Sequence, residues 1–368
     1  MEHAEVVVIG GGVIGTSIAF HLAEAGVDVL LLERGELGSG STSKGAGGIR
    51  AMFSDELNVR IGLRDLHAWA AFGDRPGWEV DFEQVGYLFL LSREEDVRRF
   101  ERDVAMQNPL GLPSRMLEPK EAGRLSPLAG LDGVLAAALC PQAGLATPDA
   151  AVQGYAAAAR RHGARIRSGS AVTGIELEGV AVRRVLGEGS LIDAPTVICA
   201  AGVWSGEVGA MVGVDLPVTP ERRRIAYTGP MEDLPDRIPM TIDFETGFYF
   251  HREGPGLLFG TSDVCETQDE WLERAVPVLE RRAPRLLEAP IAGGWSGLYE
   301  MTPDHNALIG EAPSPRRFLY ATGFSGHGFQ QAPAVGEIIR DLYLGHQPFV
   351  DVAPLAAGRP ERRELRVV

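Results

Sequence analysis

Apolar residues open the chain without alternation: residues 5–9 read EVVVI, the pattern of a strand covered on both faces. The period then changes. From 13 to 25, Ile14, Ile18, Leu22 and Ala25 recur at helical spacing, and Gly26 marks the stop. Residues 27–32 (VDVLLL) predict a second strand, so the opening segment reads as a βαβ unit. A glycine- and serine-rich loop follows from 35 to 48, then a helical stretch through Trp69. Residues 80–91 alternate as a strand, 94–106 suit a charged helix, and 110–145 read as mostly loop. An alanine-rich helix is expected over 149–162, then short strands joined by turns, ending in a buried strand at 196–200. Residues 216–295 carry Pro, aromatics and short strand-like runs. The chain closes with a strand at 318–322, a glycine-rich turn and a helix over 331–344.

Composition narrows the classes. A chain of 368 residues suggests about two domains at roughly 150 residues each. Asp and Glu number 50 against 35 Lys and Arg, a formal charge of -15, which disfavours a nucleic-acid partner. Lys44 and Lys120 are the only lysines. Cys140, Cys199 and Cys265 are scattered without CxxC spacing, predicting no disulfide framework, no metal site and a reducing cytoplasm. The N-terminus lacks signal-peptide regions, and no apolar run approaches the roughly 18 residues of a membrane span.

The βαβ unit carries the first chemistry. Gly10, Gly12 and Gly15 form GxGxxG between strand and helix. There the first glycine permits the turn, the second lets a pyrophosphate approach, and the third lets helix and strand pack closely. The helix's positive end favours the anion. Glu33 closes the second strand, where an acid accepts hydrogen bonds from a ribose diol.

VVVIGGGVIGTSIAFHLAEAGVDVLLLERG, GSGSTSKGAGGIR, TVICAAGVWS, GLYEMTPDHNALIG and ATGFSGHGFQQAPAVGE occur in that order. Together they resemble the FAD-dependent D-amino acid oxidase superfamily, and within it the sarcosine oxidase, glycine oxidase and proline dehydrogenase β-subunit branch. The resemblance implies an α/β chain, α+β overall. A Rossmann-like FAD-binding domain, discontinuous over 1–80, 145–215 and 297–368, would be joined to an inserted substrate domain. That second domain, 81–144 and 216–296, would be built on an antiparallel sheet. The implied chemistry is oxidation of the C–N bond of a small secondary amine or amino acid (sarcosine-, glycine- or proline-like) by hydride transfer to flavin N5, then imine hydrolysis.

The resemblance also assigns roles. Gly10, Gly12, Val13, Ile14, Gly15, Glu33 and Arg34 would hold the ADP half of FAD. Ser41, Thr42, Ser43, Lys44, Gly47 and Gly48 would pass the pyrophosphate and flavin, and the Val172 backbone would meet adenine. Ala200, Ala201, Gly202 and Trp204 would form a second dinucleotide segment. Gly323, Gly326, His327, Gly328, Phe329 and Gln330 would reach the flavin ring. Arg50 would pair with a substrate carboxylate, Tyr249 and Tyr299 would shape the cavity, and His327 would serve a polar or proton-relaying role. His251, in GFYFHRE, would face either cavity or solvent.

Three positions depart from the branch. Gly297 stands where covalently flavinylated members have cysteine, so FAD is expected to be non-covalent. Gln330 stands at a carboxylate-binding lysine and Leu258 at an oxygen-activating one, leaving the acceptor as oxygen or another carrier. Oxidation of a 2-hydroxy acid, a homo-oligomer, and a β-type subunit working with a partner chain are the alternatives.

Overall fold

The computed structural model describes residues 2–360 and Glu364. The opening pattern folds as read: Val6–Ile9, Val13–Glu24 and Val29–Leu32 form strand, helix and strand, with every residue of both strands buried. These strands lie in a six-stranded sheet ordered Leu308–Glu311, Phe318–Thr322, Thr196–Cys199, Val6–Ile9, Val29–Leu32 and Arg165–Arg167. It is parallel except for the antiparallel hairpin of its first two strands. Strands buried on both faces need helices on both sides, and that explains their unbroken apolar runs.

A second sheet has eight strands, in the order Ile291–Met301, Thr219–Thr228, Gly256–Gly260, Phe248–Glu253, Met240–Asp243, Tyr87–Leu91, Ala136–Cys140 and Arg115–Leu117. It is antiparallel apart from one pair, Met240–Asp243 with Tyr87–Leu91. Alternation divides its faces. Tyr249 and Leu258 join the core shared with Val6 and Ile18 of the first sheet. Phe248, Phe250, Leu257 and Phe259 pack under Trp271, Ala275 and Leu279 of a helix, Gln268–Arg282. A smaller four-stranded sheet holds Glu2–His3, Ser190–Asp193, Ala181–Gly187 and Val172–Glu178.

Several expectations are corrected. The helix Gln268–Arg282 carries Pro277 inside it, which breaks the helical reading, although Thr267 accepts from Glu270 N at 3.2 Å as an N-cap. Within the stretch read as loop, Arg115–Leu117 and Ala136–Cys140 are sheet strands and Pro119–Leu125 is a helix. The strand expected over 80–91 is confined to Tyr87–Leu91. The last helix begins at Gly328, three residues before the expected start, so the GHGFQ motif supplies its cap and first turn. The strand Ile291–Met301 pairs with Thr219–Thr228 from Ile291 opposite Thr228 to Met301 opposite Thr219.

Candidate functional site

Turns leave the carboxyl ends of Val6–Ile9, Thr196–Cys199 and Phe318–Thr322 on one side of the six-stranded sheet, the usual place for a ligand in a fold of this kind. They open onto a cavity of about 470 Å³ that continues to the larger sheet. Its wall includes Gly10, Gly12, Val13, Ile14, Glu33, Arg34, Ser41, Thr42, Lys44, Gly47, Gly48 and Arg50. It also includes Val172, Ala200, Ala201, Gly202, Trp204, Tyr249, Tyr299, Gly326, His327, Gly328, Phe329 and Gln330. Gly15, Ser43 and Gly323 lie off the wall. Gly15 serves packing: a Cβ there would collide with the Gly10 carbonyl.

At one end, Gly12 caps the helix Val13–Glu24 with no side chain of its own, and the first turn holds no acid. Thr42 Oγ1 accepts from Val13 N at 3.2 Å. Glu33 braces both turns of the motif, accepting from Gly11 N and from Gly35 N, each at 2.7 Å. Arg34 lies over the Trp204 ring, 3.7 Å from its centroid. Ser41 donates to Leu298 O at 2.6 Å, tying the serine loop to the strand Ile291–Met301.

At the other end, the helix Gly328–Leu344 also points an acid-free first turn at the cavity. Trp69 Nε1 donates to Gln330 O at 2.8 Å, and Ala334 N donates to Asp65 Oδ1 at 2.8 Å. Both contacts sit beside Pro333, which offers no N–H to the helix. Gln330 Oε1 accepts from Arg50 N at 3.1 Å, while its buried Nε2 has no partner among the described residues.

Arg50 is 2% exposed. It donates from Nη1 to Met52 O at 2.8 Å and from Nη2 to His327 Nε2 at 3.1 Å. A guanidinium only donates, so Nε2 is the acceptor and His327 is neutral with its proton on Nδ1. The imidazole thus holds the arginine. Tyr249 and Tyr299 share the wall with Tyr87, whose hydroxyl lies where a Cβ on Gly48 would be. Burial pushes all three phenols above their usual range and keeps them as neutral donors. His251 reaches neither expected place: it is buried, and its Nδ1 donates to Arg252 O at 2.8 Å. Burial lowers it to about 4.

Sequence reading missed Tyr87, Met240, Arg223 and Glu300 on this wall. Tyr87 and Met240 come from the one parallel strand pair of the large sheet, in which Met240 faces Tyr87, and local pattern does not reveal that pairing. Glu300 was open to inspection as a charged residue between Tyr299 and Met301 in a strand-like run. The cavity fits a dinucleotide: two open helix N-termini, glycines at the close approaches, and an orphaned amide at Gln330. No helix among the described residues is long and apolar enough to cross a membrane, and they hold no metal-ligand cluster.

Comparison with known proteins gives this geometry its context. The mitochondrial dimethylglycine dehydrogenase of Mus musculus is 29% identical over 97% of this chain and 44% of its own length. The chain therefore spans under half of that relative. FAD-dependent oxidoreductase domain-containing protein 1 of Bos taurus is 30% identical over 97% of this chain and 85% of its own. The crystal structure of L-proline dehydrogenase from P. horikoshii superposes with a TM-score of 0.89 at 34% identity, covering 94% of this chain and 95% of that one. The family model for DAO, FAD dependent oxidoreductase, matches residues 5–342. This chain belongs to the DAO family of FAD-dependent oxidoreductases.

Proposed function

We propose that this protein oxidises the C–N bond of a small secondary amine or amino acid that carries a carboxylate. The observation that carries the reading is Arg50, buried on the cavity wall with its guanidinium held by His327 and Met52. A guanidinium so fixed is oriented for a carboxylate before substrate arrives. Tyr87, Tyr249 and Tyr299 supply neutral phenolic donors around it. The names of the relatives, dimethylglycine dehydrogenase and L-proline dehydrogenase, support a methylated or cyclic amino acid as substrate.

Residues of both motif ends would hold FAD: the Gly10–Gly12 turn and the helix behind it at the pyrophosphate, Arg34 and Trp204 at the adenosine, and the Gly326–Gln330 turn at the flavin. The chemistry that bound FAD supplies is acceptance of a hydride at N5, leaving an imine that water hydrolyses. The protein's part is to anchor the carboxylate at Arg50, hold the amine by phenol hydrogen bonds and keep bulk water out with aromatic walls. Attachment of FAD is read as non-covalent, because Gly297, on the cavity wall, offers no thiol where covalently flavinylated members carry cysteine. The reading favours an electron carrier other than oxygen, since Leu258 supplies no positive charge at the position where the branch carries an oxygen-activating lysine.

The test is a panel of N-methyl amino acids, proline, glycine and their 2-hydroxy counterparts, added anaerobically to the purified flavoprotein. Loss of the oxidised flavin's visible band with amines alone is expected. Bleaching by a hydroxy acid alone would overturn the reading. Reoxidation by air and then by an artificial acceptor assigns the carrier.

A further inference from the structure

Arg50 and the turn that holds it come from distant parts of the chain, and one helix, Glu56–Ala70, touches both. Its start is fixed. Asp55 caps it, accepting from Asn58 N at 3.1 Å, and Asn58 Nδ2 donates to Asn306 Oδ1 at 2.7 Å.

Gly62, Asp65 and Trp69 lie on one face of this helix, since positions three and seven apart return to nearly the same side. All three are buried. Gly62 meets the Arg50 segment: a Cβ there would fall 2.8 Å from Ala51 Cα and 3.4 Å from Arg50 O. The missing side chain lets the helix lie directly on that backbone. Further along the same face, Trp69 Nε1 donates to Gln330 O and Asp65 Oδ1 accepts from Ala334 N, each at 2.8 Å. In a regular helix that carbonyl and that amide are each other's partners. Here each is met by a side chain from outside. The Trp69 ring also lies 4.9 Å from the ring of Phe329, on the cavity wall.

Stability does not account for Asp65. Its Oδ2 is buried with no partner among the described residues, and an unserved polar atom costs free energy. What the carboxyl secures is the place of Ala334.

Gln330 closes the link. Trp69 holds its backbone carbonyl, while its Oε1 accepts from Arg50 N at 3.1 Å. His327, which holds the guanidinium, shares that turn. We propose that Gly62, Asp65 and Trp69 are positioning residues. Their shared face sets the place of the Arg50 backbone relative to the turn carrying His327 and Gln330, and so aims the guanidinium at the substrate. The inference rests on Arg50 as the carboxylate anchor.

The quantity to measure is the preference for a carboxylated amine, the ratio of its kcat/KM to that of its decarboxylated analogue. The fraction of enzyme folded or loaded with flavin cancels from that ratio, so a merely structural role leaves it unmoved. Trp69→Phe removes the indole N–H and keeps a ring against Phe72 and Phe329. Gly62→Ala pushes on Ala51. Each should lower the preference about tenfold, the scale of one hydrogen bond or a small misplacement. Asp65→Ala should lower it too, and Asp65→Asn, whose amide oxygen still accepts from Ala334, should recover most of that loss. In an Arg50→Ala background, Trp69→Phe should lower it no further. Backbone hydrogen exchange over 328–336 in the purified protein should speed up about tenfold in Trp69→Phe and in Asp65→Ala.

An unchanged preference in Trp69→Phe, with Arg50→Ala lowering it, overturns the proposal. If Trp69→Phe does not fold, Asp65→Ala against Asp65→Asn decides in the same way. If Arg50→Ala keeps the full preference, the anchor reading itself fails. Exchange then decides whether the face holds the turn, and wild-type rates in Trp69→Phe overturn that as well.

Discussion

Arg50 Nη2 and His327 Nε2 share a hydrogen bond of 3.1 Å although 277 positions separate them in the chain. The contact joins the GGIR motif to the GHGFQ motif, so a guanidinium from one cofactor loop is aimed by an imidazole from the other. Arg50→Ala should raise KM for a carboxylate substrate by about 10- to 100-fold, the loss of about 1.5–3 kcal/mol of charge-assisted hydrogen bonding. Flavin absorbance per chain should stay near the wild-type value. Steady-state kinetics with a carboxylated amine and its decarboxylated analogue checks this, because the analogue should lose little.

His327→Ala should cost less, about fivefold in KM, because the arginine remains but loses its hold. The Arg50→Ala, His327→Ala double variant should be no worse than Arg50→Ala alone. Additive losses in that cycle would show that His327 acts on the substrate directly.

Gly297 carries no nucleophilic side chain at the position where covalently flavinylated members have cysteine. FAD should therefore leave the protein on acid precipitation. The supernatant is expected to carry the yellow colour, and a flavin-labelled peptide in the pellet would refute non-covalent binding.

Arg282 and Asp243 form a buried ion pair at 2.8 Å with side chains 1% and 0% exposed. The guanidinium also reaches Ser92, Gly130 O and Asp132 O. Arg282→Ala leaves the buried Asp243 carboxylate only its longer ion pair to Arg281 at 3.4 Å and should destabilise the fold by about 3 kcal/mol, the low end for a broken buried pair. Urea unfolding should report it as a lower midpoint.

His21 lies between the two cofactor-facing helices, where a Cβ on Gly336 would collide with its ring. Burial, then Arg75, lowers its pKa to about 3. The unfolded chain takes up this proton near pH 6.5 and the native one only near 3. Stability from this residue is thus complete above about pH 6.5 and lost as pH falls, at about 1.4 kcal/mol per unit. His21→Gln should flatten the dependence of unfolding free energy on pH between 6.5 and 5, whatever its effect at neutral pH.

Legibility followed the range of the interactions. Buried strands such as Val6–Ile9 and Thr196–Cys199 announce themselves because parallel strands must be apolar on both faces. The glycine turns were legible because their backbone requirements are local. Tyr87 was not: its place on the wall comes from pairing Tyr87–Leu91 with Met240–Asp243, far off in sequence. The helix Gln268–Arg282 was hidden by Pro277, with only the Thr267 cap to announce it. Arg50 was found from its motif, but its hold by His327 needed the third dimension.

The order of strands in the six-stranded sheet has a consequence for how the protein is made. Val6–Ile9 is paired with Thr196–Cys199, which is paired with Phe318–Thr322. Val6–Ile9 finds one neighbour early, Val29–Leu32, but its other edge stays open until Thr196–Cys199 is made, and that strand in turn waits for Phe318–Thr322. Such non-local pairing is slow, and it leaves apolar edges open during synthesis. The cofactor cavity closes only when the Gly328–Leu344 helix arrives, so a nascent chain has nowhere complete to dock a dinucleotide until residue 344 has been made.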